Sequence, residues 1–263
     1  MTILDTIIAY KKGEVAASKA AVSARELEKA PLFARKTLSL KRSLNDPALT
    51  GIIAEFKRRS PSKGVFLEGA DAKAITTAYT RGGASALSVL TDAHFFGGSP
   101  ADLAQAREND IPILRKDFMI DEYQVTEAKA MGADVILLIA ACLSPGRVRA
   151  LGALARSLNM EVLLELHTES ELDHVCPEID LVGINNRDLK TFEVDIARSL
   201  ALADRLPKDL PKVAESGISQ PDTIQNMRAH GFTGFLIGET FMREPDPGSA
   251  FATFAAQLKT HAR

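Results

Sequence analysis

The sequence lacks several features that define large classes of protein. Its 263 residues contain no tryptophan and two cysteines, Cys142 and Cys176, too few for a disulfide framework or a four-cysteine metal site. Glycine and proline number 17 and 12, which argues against collagen-like and disordered chains. The longest apolar run, residues 135–143, falls well short of the ~18–20 residues that cross a bilayer.

Charge of either sign is not in excess. The chain has 32 Lys and Arg against 34 Asp and Glu, a formal net charge of −2. Nucleic-acid-binding domains usually carry a basic surplus, so we expect no nucleic-acid partner and no membrane partner. The two cysteines are typical of a reducing compartment, and no signal-peptide pattern is visible. We therefore expect a cytoplasmic protein acting on a small molecule, compatible with a monomer.

One pattern recurs from residue 51 onward: a short apolar run, a turn, and a helical stretch. Each complete unit spans roughly 26 residues. The runs are residues 52–56, 86–90, 111–114, 135–139, 162–166, 181–184, 212–214 and 234–237. Alternating strands and helices predict a parallel sheet covered by helices. Eight units, with no Gly-x-Gly-x-x-Gly after the first strand, favour a (β/α)8 TIM barrel over a doubly wound sheet.

Helix starts can be read between these runs. They are marked by Asp71, Asp121, Ser144-Pro145, the Thr168–Glu171 capping box, and Gln220-Pro221. Residues 1–48 do not follow the alternation, and their apolar spacing predicts an amphipathic helical extension. We therefore expect a single domain, 1–263, made of this extension and a barrel over residues 49–263. The extension either stabilises the barrel or also covers a substrate.

Charged or amide side chains end five of the eight runs. Because residues i and i+2 of a strand face the same side, Glu55 and Lys57 share a face, and so do Glu165 and His167. Carboxyl ends of barrel strands are where such enzymes hold their chemistry. The alternative is that each charge is solvated or paired at the rim. Lysines here are candidate acids or anion holders, and glutamates candidate bases.

Two glycine-containing turns follow the last two runs. Ser216-Gly217-Ile218 and Gly238-Glu239-Thr240 free backbone N–H groups that can hold a phosphate, as is usual in this fold. The charge of Glu239 opposes this unless its side chain turns away. Glu165 and His167 alone do not make a metal site, and we expect none.

These motifs together resemble the signature of indole-3-glycerol phosphate synthases. The matching segments are IAEFKRRSPSKG at residues 53–64, LTD at 90–92, FGG at 96–98, LRKDF at 114–118, LLELH at 163–167, GINNR at 183–187, AESGI at 214–218 and LIGE at 236–239. The resemblance implies a cofactor-independent lyase of tryptophan biosynthesis. Its substrate would be 1-(2-carboxyphenylamino)-1-deoxyribulose 5-phosphate, which closes to indole-3-glycerol phosphate with loss of CO2 and water.

The resemblance also implies residue roles. Catalytic positions are Lys116, the acid for ring closure, Glu165 and Lys57, which share the later proton transfers, and Glu55, Asn185 and Ser216. Substrate-binding positions are Ser60, Pro61, Phe96, Phe118, Arg187, Glu215, Gly217, Gly238 and Glu239. Lys57, Lys116 and Arg187 are expected to make the mouth of the barrel cationic for an anionic substrate.

Two other functions remain open from the residues. A Schiff-base aldolase would use Lys116 or Lys57 as a nucleophile, and borohydride would then trap substrate on that lysine. A barrel that only binds a ligand would show no turnover and would not lose function when Lys116 is replaced.

Overall fold

The computed structural model describes residues 2–188 and 193–260, so Met1 and residues 261–263, the ends of the predicted domain, lie outside it. Its strands are β1 (Ile52–Phe56), β2 (Arg59–Ser60), β3 (Gly64–Val65), β4 (Ala86–Leu90), β5 (Ile113–Lys116), β6 (Val135–Ile139), β7 (Glu161–Leu166), β8 (Leu181–Asn185), β9 (Lys212–Glu215) and β10 (Phe232–Ile237). Strands β2 and β3 form an antiparallel hairpin. The other eight are parallel and close into a barrel.

The predicted TIM barrel is confirmed by this closure, in which β1 pairs with both β4 and β10. Each of the eight predicted runs overlaps an observed strand, and its ends differ from those of the strand by at most two residues. The largest shifts are two residues, at both ends of β5 and at the start of β10. Strand β5 begins after Pro112, since proline has no N–H to donate to a ladder.

Helices surround the barrel and precede it. They are α1 (Ile3–Ala21), α2 (Ala24–Leu27), α3 (Leu40–Leu44), α4 (Ala72–Arg81), α5 (Ala93–Phe96), α6 (Pro100–Ala106), α7 (Glu122–Ala130), α8 (Pro145–Ser157), α9 (Ile196–Ala203), α10 (Pro221–Ala229), α11 (Glu239–Met242) and α12 (Pro247–Thr260). The predicted helix starts are confirmed. Asp71 Oδ1 accepts the Ala74 amide at 3.1 Å, whereas the side chain of Gln220 makes no capping hydrogen bond. The Thr168–Glu171 box opens a short 3-10 helix, Glu169–His174. Within the described residues, none of the helices combines the length and apolarity needed to cross a membrane.

The barrel has two apolar cores. One lies between the sheet and the helices, where Tyr79 and Phe251 are fully buried. The other fills the inside of the barrel with layers of aliphatic side chains, as in other barrels of this type. Leu40 and Leu44 of α3 pack into this inner core, so part of the N-terminal extension helps to complete it.

A buried carboxylate joins the extension to the barrel. Asp134, just before β6, has no exposed surface. Its Oδ1 accepts the Leu38 amide at 2.8 Å and a hydrogen bond from Arg35, and its Oδ2 accepts from Arg107 at 2.6 Å and from the Ile113 amide at 2.8 Å. The four hydrogen bonds that this carboxylate accepts therefore link the extension, through Arg35 and Leu38, to the barrel, through Arg107 and Ile113.

We expect Asp134→Ala to lower the free energy of unfolding by about 3–5 kcal/mol, because it leaves the buried Arg107 guanidinium without its partner. Urea unfolding followed by circular dichroism measures this. Glu108→Ala is the control, since Glu108 pairs with Lys73 on the exposed surface and its loss should barely move the midpoint. The single-domain prediction requires one transition in all three proteins; two separated transitions would contradict it.

Candidate active site

A cavity of about 750 Å³ opens at the carboxyl ends of the barrel strands. This volume lies in the usual range for sites that bind small molecules. All the predicted site residues line it: Glu55, Lys57, Ser60, Pro61, Phe96, Lys116, Phe118, Glu165, Asn185, Arg187, Glu215, Ser216, Gly217, Gly238 and Glu239. The fold therefore brings together residues that lie up to 184 positions apart in the sequence.

The two-residue repeat of the strands explains why these side chains point into the cavity. Leu163 belongs to the inner apolar core, and two positions later Glu165 lines the cavity. The same step leads from Leu114 to Lys116 and from Val213 to Glu215. The floor of the cavity is thus the next inward layer of the barrel, in which charged groups replace aliphatic ones.

Lys116 occupies the centre of this layer. Its Nζ donates to Oε2 of Glu165 and to Oε2 of Glu215, both at 2.9 Å. Burial alone would lower the pKa of the Lys116 ammonium, but the two carboxylates outweigh burial and raise it above its ordinary value. Lys116 is therefore protonated throughout the neutral range.

The two glutamates that share Lys116 differ in their surroundings. Glu165 Oε1 also accepts from Asn185 Nδ2 at 2.9 Å and lies 3.1 Å from Nε2 of His167. Burial raises the pKa of Glu165, but Lys116 and His167 bring it below the ordinary range. For Glu215, burial and the nearby negative charge of Glu165 prevail over Lys116 and raise the pKa to about 7. Glu165 is ionised at neutral pH, whereas Glu215 titrates there.

A second lysine and glutamate lie beside this group. Lys57 Nζ is 2.7 Å from Oε1 of Glu55 and 5.5 Å from the centre of the Phe66 ring, a cation–π distance. Glycines make room for the carboxylates: a Cβ at Gly238 would lie 2.6 Å from Oε1 of Glu55, and one at Gly183 would overlap Glu215. These glycines are needed for space rather than for backbone freedom.

The predicted cationic mouth is only partly right. Five cationic and six acidic side chains line the cavity. At its floor Glu55, Glu165 and Glu215 pair with Lys57 and Lys116, and behind the floor His167 contacts Glu165. The arrangement is a set of ion pairs, because uncompensated charge at this depth is costly.

The opposite side of the cavity has donors for an anion. Ser216 and Gly217 adopt positive φ angles of 68° and 72°, a tight backbone turn that faces the cavity after β9. Gly238 precedes α11. The carboxylate of Glu239 does not stay unpaired, as it lies 2.6 Å from Nη2 of Arg243 and 3.4 Å from Nη2 of Arg187.

Several lining residues were not identified from the sequence. Leu4 and Ile7 reach the cavity from α1, so the extension covers the site as well as packing on the barrel, a choice that the sequence left open. Arg243 also lines it, and its spacing of four residues from Glu239 is a pairing signal that sequence reasoning could have used. Another wall of the cavity is aromatic. It is formed by Phe96 and Phe118, whose ring centres are 5.9 Å apart.

No group of three or more His, Cys, Asp or Glu side chains within residues 2–188 and 193–260 is arranged to hold a metal ion.

Comparison with known proteins identifies the family. A family model described as indole-3-glycerol phosphate synthase matches residues 4–254. The chain belongs to this family. It is a decarboxylating lyase of tryptophan biosynthesis, as the resemblance of its motifs implied.

Relatives of known name agree over nearly the whole chain. The indole-3-glycerol phosphate synthase of Bacteroides thetaiotaomicron is 49% identical over 258 residues, covering 98% of this chain and 99% of the relative. Those of Polaromonas and Salinibacter ruber are 46% and 42% identical, over 95% and 98% of this chain and 97% of each relative. The family pattern therefore extends through both the extension and the barrel.

Solved structures with little sequence similarity share the fold. Tryptophan synthase subunit alpha from Legionella pneumophila superposes with a TM-score of 0.61 at 12% identity, over 84% of this chain and 97% of that one. A 3-hexulose-6-phosphate synthase gives 0.62 at 14% identity, over 79% and 99%. These likenesses support the barrel alone.

His167 is a buried histidine that lies between two glutamates. Its Nε2 and Nδ1 lie 3.1 Å from Glu165 and 3.7 Å from Glu171; these are charge contacts, without a well-directed hydrogen bond to either nitrogen among the described residues. Burial lowers the pKa of His167, but the two carboxylates raise it from 6.5 to about 10. The folded protein therefore holds this proton more tightly than the unfolded chain does.

We expect the stabilisation by His167 to be complete below pH 6.5 and to disappear as the pH rises towards about 10. In urea unfolding, the free energy of unfolding of wild type should exceed that of His167→Gln by on the order of 3 kcal/mol at pH 6. This difference should shrink steadily between pH 7 and 10. A difference that stays constant over this interval would show that His167 is neutral in the fold.

Proposed function

We propose that the cavity binds 1-(2-carboxyphenylamino)-1-deoxyribulose 5-phosphate and that the Lys116 ammonium drives closure of the indole ring. The observation that carries this proposal is the position of Lys116, which is held by two buried carboxylates at the floor of the cavity. The aromatic carbon that bears the carboxylate forms a bond to the sugar carbonyl carbon. The carbonyl oxygen takes a proton from Lys116 and becomes a hydroxyl.

The remaining steps restore the aromatic ring and remove water. The bond from the ring to the carboxylate breaks, CO2 leaves, and its electrons return to the ring. The new hydroxyl then takes a proton and leaves as water, while loss of a proton from the neighbouring carbon forms the double bond of the indole.

The ion pairs support separate roles for the two groups that act in dehydration. Glu165 is ionised, with its charge held by Lys116, Asn185 and His167, so it suits the proton acceptor. Lys57 is held by Glu55 at 2.7 Å and suits the donor to the departing hydroxyl. Glu55 thus acts through Lys57.

The substrate has an aromatic ring between two anionic ends, and the cavity offers three corresponding surfaces. Phe96, Phe118 and Pro61 would contact the ring. Arg187 with Asn185 would bind the ring carboxylate. The phosphate would lie against the backbone and hydroxyl donors of the opposite side, supplied by Ser60, Ser216, Gly217, Gly238 and the amide of Glu239.

The same ion pairs oppose the aldolase alternative. A Schiff base needs a neutral amine, whereas the two carboxylates around Lys116 favour its ammonium form. We also propose that the enzyme works as a cytoplasmic monomer, because one chain supplies the described lining of the cavity and its relatives are bacterial biosynthetic enzymes.

We expect Lys116→Met to lower kcat by about 10³-fold or more, since it removes the acid for ring closure. Indole fluorescence measures product directly, because the sequence has no tryptophan. Wild-type turnover is required for the proposal, and unchanged kcat in the variant would refute Lys116 as the acid. Borohydride should leave wild type unlabelled by substrate; covalent capture on Lys116 or Lys57 would favour the aldolase.

We expect Glu165→Gln to lower kcat by about 10²–10⁴-fold while KM changes less than about threefold, because the amide cannot accept the proton. Glu161→Gln is the matched control. Glu161 begins the same strand at the other end of the barrel, where it accepts from Ser39 and from the Lys41 amide. A kcat loss that is equal in the two variants would indicate damage to the strand rather than to the chemistry.

A further inference from the structure

The outer helix α1 has one fully buried cation, the ammonium of Lys11. Its Nζ lies 2.9 Å from Oδ2 of Asp92, 2.9 Å from Oδ1 of Asp117 and 2.8 Å from Oε1 of Glu14. Burying an ammonium is unfavourable unless partners surround it. Apolar packing of α1 on the barrel would not by itself require such a residue.

The two aspartates belong to the loops that carry the aromatic wall of the cavity. Asp92 Oδ1 accepts the amides of Phe95 and Phe96 at 2.8 and 3.3 Å, which caps α5. Asp117 Oδ1 accepts the Phe118 amide at 2.8 Å. The carboxylates that bind Lys11 therefore also orient the backbone of Phe96 and Phe118.

The other side of this connection is the cover formed by α1. Leu4, Ile7 and Lys11 are spaced by three and four residues, so they lie on one face of the helix. Leu4 and Ile7 line the cavity. The Lys11 ammonium thus joins the helix that covers the cavity to both loops that form its aromatic wall. Tyr10 of the same helix also stacks on His94 of α5, with the ring centres 4.3 Å apart.

The two aspartates depend on Lys11 unequally. Asp117 also pairs with Arg115 at 3.1 Å and accepts from Thr91 at 2.6 Å. For Asp92, Lys11 is the one cation within ion-pair distance among the described residues. Loss of Lys11 would therefore remove the charge partner of Asp92, the residue that caps α5 ahead of Phe96, while the ring contacts of Tyr10 with His94 and Phe95 remain.

We propose that Lys11 is a positioning residue for the aromatic half of the substrate, setting the distance between the cover formed by Leu4 and Ile7 and the wall formed by Phe96 and Phe118. The inference rests on the proposed function, since it assigns these surfaces to an aromatic ring. Lys11 lies beneath the cavity lining rather than in it, so its effect should fall on binding more than on the chemical steps.

The test compares Lys11→Met with Lys19→Met by steady-state kinetics on the ribulose phosphate substrate. Lys19 lies on the same helix and pairs with Asp121 at the surface, so its replacement should leave KM and kcat unchanged. We expect Lys11→Met to raise KM by about tenfold or more, with kcat within about threefold of wild type. A merely structural role would instead lower the active fraction, and so kcat, at constant KM.

A second variant distinguishes the loss of positioning from the loss of stability that the unpaired Asp92 carboxylate causes in Lys11→Met. Lys11→Met with Asp92→Asn removes one charge of each sign, and asparagine caps a helix as well as aspartate does. We expect this protein to melt close to wild type and to keep the raised KM. A wild-type KM in this double variant, or in a folded Lys11→Met, would overturn the proposal.

If the proposed function itself were wrong, the kinetic result would differ from the result expected when only the role of Lys11 is wrong. Wild type itself would then give no indole fluorescence from the substrate, whatever the state of Lys11. Wild-type turnover together with an unchanged KM in both Lys11 variants would overturn the positioning role alone.

Discussion

The chemistry of this barrel depends on the two-residue repeat of its strands, which places every second side chain inside. The inner core is aliphatic, and Glu55, Lys116, Glu165 and Glu215 follow it towards the carboxyl ends of the strands. In so small a space each charge must be compensated by another, because water cannot solvate it. Each glutamate at the floor of the cavity consequently lies against a lysine, and the protonation of each group depends on its neighbours.

This mutual dependence determines what each group can do. Lys116 is protonated because Glu165 and Glu215 surround it, and Glu165 is ionised because Lys116, Asn185 and His167 surround it. Glu215 has fewer favourable contacts, and its pKa of about 7 reflects this. A protonated amine and an ionised carboxylate are thereby present side by side at neutral pH, which are the protonation states that the proposed donor and acceptor require.

The N-terminal extension contacts both ends of the barrel. At the amino end, Leu40 and Leu44 pack into the inner core and Asp134 binds the segment before them. At the carboxyl end, α1 covers the cavity and Lys11 binds the loops after β4 and β5. Buried ion pairs of this kind contribute less to net stability than to a unique geometry, and a cover over a reacting substrate needs geometry above all.

The barrel could be predicted from the sequence alone, because alternating apolar runs and helix starts are local signals that do not depend on distant residues. The charged strand ends could be placed at one end of the sheet from their parity, whereas residues outside the strands, such as Ser60, Phe96 and Phe118, were predicted only from the resemblance of the motifs. The ion-pair partners of the buried charges could not be predicted, because they depend on how distant segments pack together. A lysine in an amphipathic helix is ordinarily solvated, so the burial of Lys11 against Asp92 and Asp117, distant in sequence, has no local signal. The same holds for Leu4 and Ile7 as the cover of the cavity, and for the pKa values of Glu165 and Glu215, which depend on distances that only the closed barrel creates.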